Sequence, residues 1–239
     1  MVLKEIDNVE TNDILITGNE ALQGGGIEIV NAVGLELENL TITDNIALES
    51  IGGAIGSYSG SFSIVNSIIY ENGSQAISFY PNGDPCSITA SYSDIEGGRD
   101  GITSQFNNDT TLVNWLLGNL TGGSLSDPLF VDADNGDYRL KSFSPCIGAG
   151  TTTISPAPNY DSDITPNPAG SSPDIGAYEN SRAVRLDDWY ISTAGSDSNE
   201  GISTSPLLSI SVAVAGAMDG DTINLSAGTY QQRFDPAGA

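Results

Sequence analysis

A degenerate repeat constrains this chain more than any other feature. Four segments each close a short apolar strand on a polar corner: Ile14-Leu15-Ile16-Thr17-Gly18-Asn19, Leu40-Thr41-Ile42-Thr43-Asp44-Asn45, Ser67-Ile68-Ile69-Tyr70-Glu71-Asn72 and Tyr92-Ser93-Asp94-Ile95-Glu96-Gly97. Their starts, at 14, 40, 67 and 92, lie 26, 27 and 25 residues apart. Self-similarity at such a period marks stacked architecture, because one unit cannot bury its own apolar face and needs the next.

Two further strands accompany each motif. One precedes it: Leu35-Glu36-Leu37-Glu38-Asn39, Phe62-Ser63-Ile64-Val65-Asn66 and Ser87-Ile88-Thr89-Ala90-Ser91 alternate apolar and polar residues, the period of a strand with one buried face. The other follows it and opens on a small residue and isoleucine: Gly26-Ile27, Ala54-Ile55, Ala76-Ile77 and Gly101-Ile102. A small residue there suits a tight corner under the next rung. The expected fold is all-β: a right-handed parallel β-helix with three strands per turn over residues 1–120. Ile16, Ile42, Ile69 and Ile95 should stack, and Ile55 and Ile77 should point into the bore. Asn19, Asn45 and Asn72 recur at one corner, where asparagine tolerates a left-handed backbone and bonds its own backbone or the next rung.

The repeat fades near Asn114. Residues 121–182 are rich in Gly, Pro, Asp and Ser, as in Asp127-Pro128, Ser155-Pro156-Ala157-Pro158 and Pro166-Asn167-Pro168, and read as an irregular cap over the open end of the solenoid. Residues 183–239 restart with a strand at Trp189-Tyr190-Ile191-Ser192, a short helix between Ser209 and Met218, and a strand at Thr222-Ile223-Asn224-Leu225. The start of Met1-Val2-Leu3-Lys4 has no basic region before an apolar stretch, so it is not a signal peptide, and the chain is expected to be a piece of a longer protein.

With 7 basic and 31 acidic residues the net charge is −24, which disfavours nucleic acid and anionic membrane as partners. No apolar run approaches the ~20 residues of a membrane span. Histidine is absent, which excludes His-based triads and metal sites. Cys86 and Cys146 make no disulfide framework; they allow one bridge, or stand as two separate buried thiols.

The later segments resemble known families. Ser93-Asp94-Ile95-Glu96-Gly97-Gly98, Asp127-Pro128-Leu129-Phe130-Val131-Asp132, Gly136-Asp137-Tyr138-Arg139-Leu140, Ser144-Pro145-Cys146-Ile147-Gly148-Ala149-Gly150 and Pro173-Asp174-Ile175-Gly176-Ala177-Tyr178-Glu179 follow one another in the order found in choice-of-anchor Q domain proteins, bacterial surface β-helix proteins. That family commonly has Asp where Gly148 stands here. Residues 188–230, through Tyr190-Ile191-Ser192-Thr193-Ala194-Gly195 and Gly220-Asp221-Thr222-Ile223-Asn224-Leu225-Ser226-Ala227-Gly228-Thr229-Tyr230, resemble the N-terminal cap of right-handed, pectate-lyase-like β-helices. The resemblance implies an extracellular or cell-surface location. It also implies that residues 183–239 either begin a second β-helix or fold back to cap the first.

The function expected from this reading is a non-catalytic, adhesin-like or carbohydrate-contacting module. Its partner would be polysaccharide or extracellular matrix, with Tyr58, Tyr70, Tyr80 and Tyr92 as stacking surfaces. The alternative is part of a polysaccharide lyase or glycoside hydrolase. A lyase of this fold needs a base beside carboxylates that hold calcium. Arg99, near Asp94, Glu96 and Asp100, is the one weak candidate. Calcium is the cofactor an acidic loop would take, and Asp132, Asp134 and Asp137 alternate around Gly136 as calcium ligands do. Asp161 and Asp163 with Asp174 form a weaker set.

Overall fold

The computed structural model describes residues 2–4, 10–11, 14–73, 75–80, 86–104, 113–121, 127–152 and 171–230. The repeats build a parallel β-solenoid of about three turns. The first coil contributes β1 (Val2–Lys4), β2 (Glu10–Thr11), β3 (Ile14–Thr17) and β4 (Glu20–Ala21). The next supplies β5 (Ile27–Glu38), β6 (Leu40–Thr43) and β7 (Ile46–Ala47), and the third β8 (Ile55–Val65) and β9 (Ile68–Tyr70). Above them lie β10 (Ile77–Phe79), β11 (Cys86–Ser91) and β12 (Asp94–Ile95), then β13 (Ile102–Ser104) and β14 (Val113–Trp115).

The isoleucine stack is present. Ile16 pairs with Ile42, Ile42 with Ile69 and Ile69 with Ile95, in the parallel sheet β3-β6-β9-β12. Ile27, Ile55, Ile77 and Ile102 form a second stack, and Leu37, Ile64, Ala90 and Trp115 a third. Ile55 and Ile77 are fully buried in the bore, as expected. The three strands per turn are not all separate, however. The third strand of one turn runs into the first of the next as the single long β5 or β8. In β5 a bend at Asn31 and Gly34, both at positive φ, and a register shift between Val33 and Leu35 turn the chain without ending the strand.

Sharp corners flank the strands of the β3-β6-β9-β12 sheet. Asn39, Asn66 and Tyr92 precede β6, β9 and β12, Gly118 precedes the Leu120 bridge to Asp94, and Gly18, Asp44, Glu71 and Gly97 follow the four strands, all in the left-handed region. The left-handed residue at the second corner is therefore the one before each asparagine. The asparagine itself bonds between rungs. The Asn19 and Asn45 backbone N–H groups donate to the side-chain oxygens of Asn45 (3.1 Å) and Asn72 (3.2 Å), and the Asn45 and Asn72 amides donate to the carbonyls of Ile16 and Ile42 at 2.9 Å. A second ladder runs at the first corner, where Leu40, Ser67 and Ser93 N–H groups donate to Ser67, Ser93 and Asn119 side chains. The ladders satisfy corner donors that strand pairing leaves open.

Residues 121–182 were expected over the open end. Their described part instead lies as a strap along the outer face of the β3-β6-β9-β12 sheet. The antiparallel pair β15 (Phe130–Asp132) and β16 (Asp137–Leu140) packs Phe130 and Tyr138 edge to face, with Cys146, Ile147 and Ile175, onto the outward side chain of Ile68. Across the seam Ala177 N–H donates to Thr41 Oγ1 (3.0 Å), Gly176 N–H to the Asn66 carbonyl (2.8 Å), and Asn66 and Thr151 bond each other twice at 2.9 Å.

The C-terminal segment docks on the strap. Strands β17 (Asp188–Ile191) and β18 (Thr222–Leu225) pair in parallel, with helix α1 (Ile210–Gly216) between them in sequence. Trp189 stacks on Phe143 of the strap at 3.8 Å. Arg185 grips Asp221, whose carboxylate also accepts the Trp189 indole and the Met218 N–H. Burial opposes ionisation of Asp221, but Arg185 and these donors win and hold it below the usual carboxylate range. Cys86 and Cys146 are both buried and are not disulfide-bonded. No helix among the described residues is long and apolar enough to cross a membrane.

Candidate functional site

The solenoid's outer faces differ in access. On the β3-β6-β9-β12 sheet the outward residues Thr41, Thr43, Ile68 and Asp94 are buried. The face formed by β5, β8, β10 and β13 carries the aromatic pair that the sequence suggested in part. Tyr58 on β8 and Tyr80, just beyond β10, lie with ring centroids 5.4 Å apart and tilted by 52°. Both are half-buried. The Tyr80 hydroxyl donates to Glu28 Oε1 at 2.7 Å.

That reach depends on the residue between them. Glu28 pairs in register with Gly56, and Gly56 with Ser78. A Cβ on Gly56 would come within 2.8 Å of the Gly24 nitrogen and 3.2 Å of the Tyr80 ring. Glycine thus lets the ring lie flat over the rung. Burial, then the bond to Glu28, pushes the Tyr80 hydroxyl above its ordinary range, so it stays a donor. Beside the pair, the Ser78 and Thr103 hydroxyl oxygens lie 2.9 Å apart, and both lie within hydrogen-bonding reach of Gln75 Oε1. The result is an aromatic patch bordered by a carboxylate, an exposed amide and a hydroxyl.

Tyr70 and Tyr92 are not part of this patch. Tyr70 packs into the apolar cluster beneath the strap. Burial, followed by Asp127, Glu96, Glu71 and Asp94, pushes its hydroxyl up to about 12. Tyr92 sits at a left-handed corner, and its ring closes against Gly118, where a Cβ would approach to 2.5 Å.

Arg99 lies exposed in a short 3-10 turn, Gly98–Gly101, and its guanidinium donates to the Val113 carbonyl at 3.4 Å. Asp94 is fully buried, with Oδ2 3.6 Å from the Cys146 sulfur. Burial above all pushes this carboxyl up to about 7. The residues named for lyase chemistry thus stand in different environments.

In the acidic loop, Asp137 forms a bidentate pair with Arg139 at 2.8 and 2.6 Å, and the Asn135 amide donates to Asp132 at 2.8 Å. Arg139 holds Asp137 below the usual carboxylate range. Asp134 is exposed. Among the described residues no group of three His, Cys, Asp or Glu is placed to hold a metal ion. Asp161 and Asp163 lie outside the described residues. Asp174 is buried in the strap and accepts the N–H groups of Gly148 (2.7 Å) and Asn180 (2.6 Å); burial pushes it up to about 6.

Sequence reasoning missed Glu28, Gln75 and Thr103 beside the tyrosines, and missed the buried Asp94–Cys146 contact. Gly56, breaking the run of side chains between Glu28 and Ser78, was the available signal for the first group. Compared with family models, with curated proteins and with solved structures, the chain matches none.

Proposed function

We propose that the chain is a non-catalytic β-solenoid module that contacts carbohydrate outside the cell, with the Tyr58–Tyr80 patch as its contact surface. The observation that carries this reading is the pairing of the two rings on one sheet face, with Glu28, Gln75 and Thr103 at their edge. Aromatic faces present apolar area, and hydroxyl, amide and carboxylate groups supply the hydrogen bonds that a sugar's alternating faces and edges require. A net charge of −24 disfavours uronate polymers, so neutral glycans are the fitting class.

The test is affinity electrophoresis through gels containing a neutral β-glucan, a neutral galactomannan or pectate. The full chain should be retarded by at least one neutral polymer and pass freely through pectate. Tyr58→Ala with Tyr80→Ala should abolish the retardation while leaving thermal unfolding cooperative. Equal migration in every gel, or retardation that survives the double substitution, overturns the proposal.

A further inference from the structure

The seam between strap and solenoid carries a feature independent of the glycan patch. Asp94 points outward from β12 in the same line as Ile68 of β9 and Thr41 of β6. The strap closes over all three. The Asp94 Oδ2 atom receives only the weak Cys146 thiol, and Oδ1 has no hydrogen-bond partner among the described residues. Among the described residues, the charged groups acting on Asp94 are Asp127 from the strap and Glu96 from its own turn, both carboxylates. The same sign continues along the seam. Glu71 faces Asp44 and Glu96 on the solenoid side and Asp127 and Asp134 on the strap side, and the Tyr138 hydroxyl bridges to Asp44 at 2.5 Å.

We propose that the strap is an acid-tightened latch: it stays closed over the solenoid while Asp94 carries a proton and loosens when Asp94 ionises. A protonated carboxyl fits the site, because a neutral acid tolerates a buried position facing a thiol. Among the described residues an ionised one has no cation and no strong donor, and it faces Asp127. Opening the strap lets water solvate it and separates the facing carboxylates.

The sign follows from linkage. Burial lifts Asp94 from its ordinary value of 3.8 to about 7 in the closed state. The closed state therefore binds the proton more tightly than the open state. Closure is fully favoured below the ordinary value, and the advantage is lost as pH rises to about 7. Over that interval the open fraction grows by up to about tenfold per pH unit, then levels off.

The two cysteines report the event. Cys146 lies in the strap against Asp94, while Cys86 lies in β11 within the solenoid bore. Alkylation of both thiols in the full chain is followed by mass spectrometry across a pH series. The ratio of the Cys146 rate to that of a cysteine in an unstructured peptide at the same pH cancels the dependence on thiolate fraction, and the Cys86 rate shows whether the bore opens as well. Between about pH 5 and about pH 7.5 the ratio should rise at least about tenfold in the wild type and less than about threefold in Asp94→Asn. A flat wild-type ratio, or an equal rise in Asp94→Asn, overturns the proposal. Should Asp94→Asn fail to fold, hydrogen exchange of the Gly176 and Ala177 amides in the wild type decides. After correction for intrinsic rates, their opening should grow over the same pH interval, and pH-independent opening refutes the latch.

Discussion

Replacing Asn45 by alanine should cost far more than its corner position suggests. The side chain is fully buried, and the two hydrogens of its amide nitrogen are shared among the Ile16 carbonyl (2.9 Å), the Thr43 carbonyl (2.8 Å) and Asn72 Oδ1 (3.0 Å). Its oxygen accepts the Asn19 N–H at 3.1 Å and the Asn19 amide at 2.9 Å. Alanine removes these bonds and leaves buried groups of two rungs without partners. At about 1 kcal/mol per lost bond, with a larger penalty for each orphaned buried group, the expected loss is roughly 3–5 kcal/mol. Asn19→Ala at the exposed end of the same ladder should cost about 1 kcal/mol or less, because water replaces what is lost. Denaturant titration of the three proteins checks this. The midpoint of Asn45→Ala should fall well below that of Asn19→Ala, with the slope unchanged. Equal midpoints for the two variants would refute the idea that the ladder, rather than corner propensity, fixes asparagine here.

Three other outcomes are expected. Ile55→Asp or Ile77→Asp places an unpaired carboxylate in the dry bore and should cost several kcal/mol, enough to abolish cooperative thermal unfolding in a marginally stable fold; wild-type-like melts would contradict the inward stacks. The lift of Asp94 from 3.8 to about 7 corresponds to roughly 4 kcal/mol of stability present in acid and lost by neutral pH, so Asp94→Asn should gain stability over wild type at about pH 8 and little at about pH 4, read from urea midpoints. Calcium at the 132–137 loop has to compete with Arg139 for Asp137. A calcium-dependent rise in Tm should therefore be larger in Arg139→Ala than in wild type; equal responses, or none in either, discard the loop as a site.

The inner surface of the solenoid was legible because stacking imposes one rule on every turn. Ile16, Ile42, Ile69 and Ile95 must repeat at the coil length, since each packs on the one below. The small residues before Ile27, Ile55, Ile77 and Ile102 repeat for the same reason. The long strands β5 and β8 were not legible as units. Asn31 and Gly34 look like strand-ending residues, yet they turn the chain while its pairing to the neighbouring coil continues.

The outer surface obeys no such rule, because each face is completed by a segment outside the repeat. Thr41-Ile42-Thr43 has the alternation of a strand with one wet side, but both threonines are buried under the strap. The adjacent Ile68-Ile69 pair was the cue, since a strand wet on one side would not place isoleucine on both. Asp94 follows the same logic in reverse. In sequence it is one carboxylate in an acidic protein, and only the strap's arrival makes it a buried one. The tyrosines show the same dependence on context. Tyr58 and Tyr80 are 22 residues apart, shorter than the isoleucine period, because the turn that carries Ile55 to Ile77 is itself 22 residues long. They meet by register rather than by motif. Tyr70 differs from them only in the face it occupies, and that face is the one the strap covers. The proposed contact surface is the face formed by β5, β8, β10 and β13, where the aromatic pair stands beside polar groups on a strand surface fixed by the isoleucines behind it.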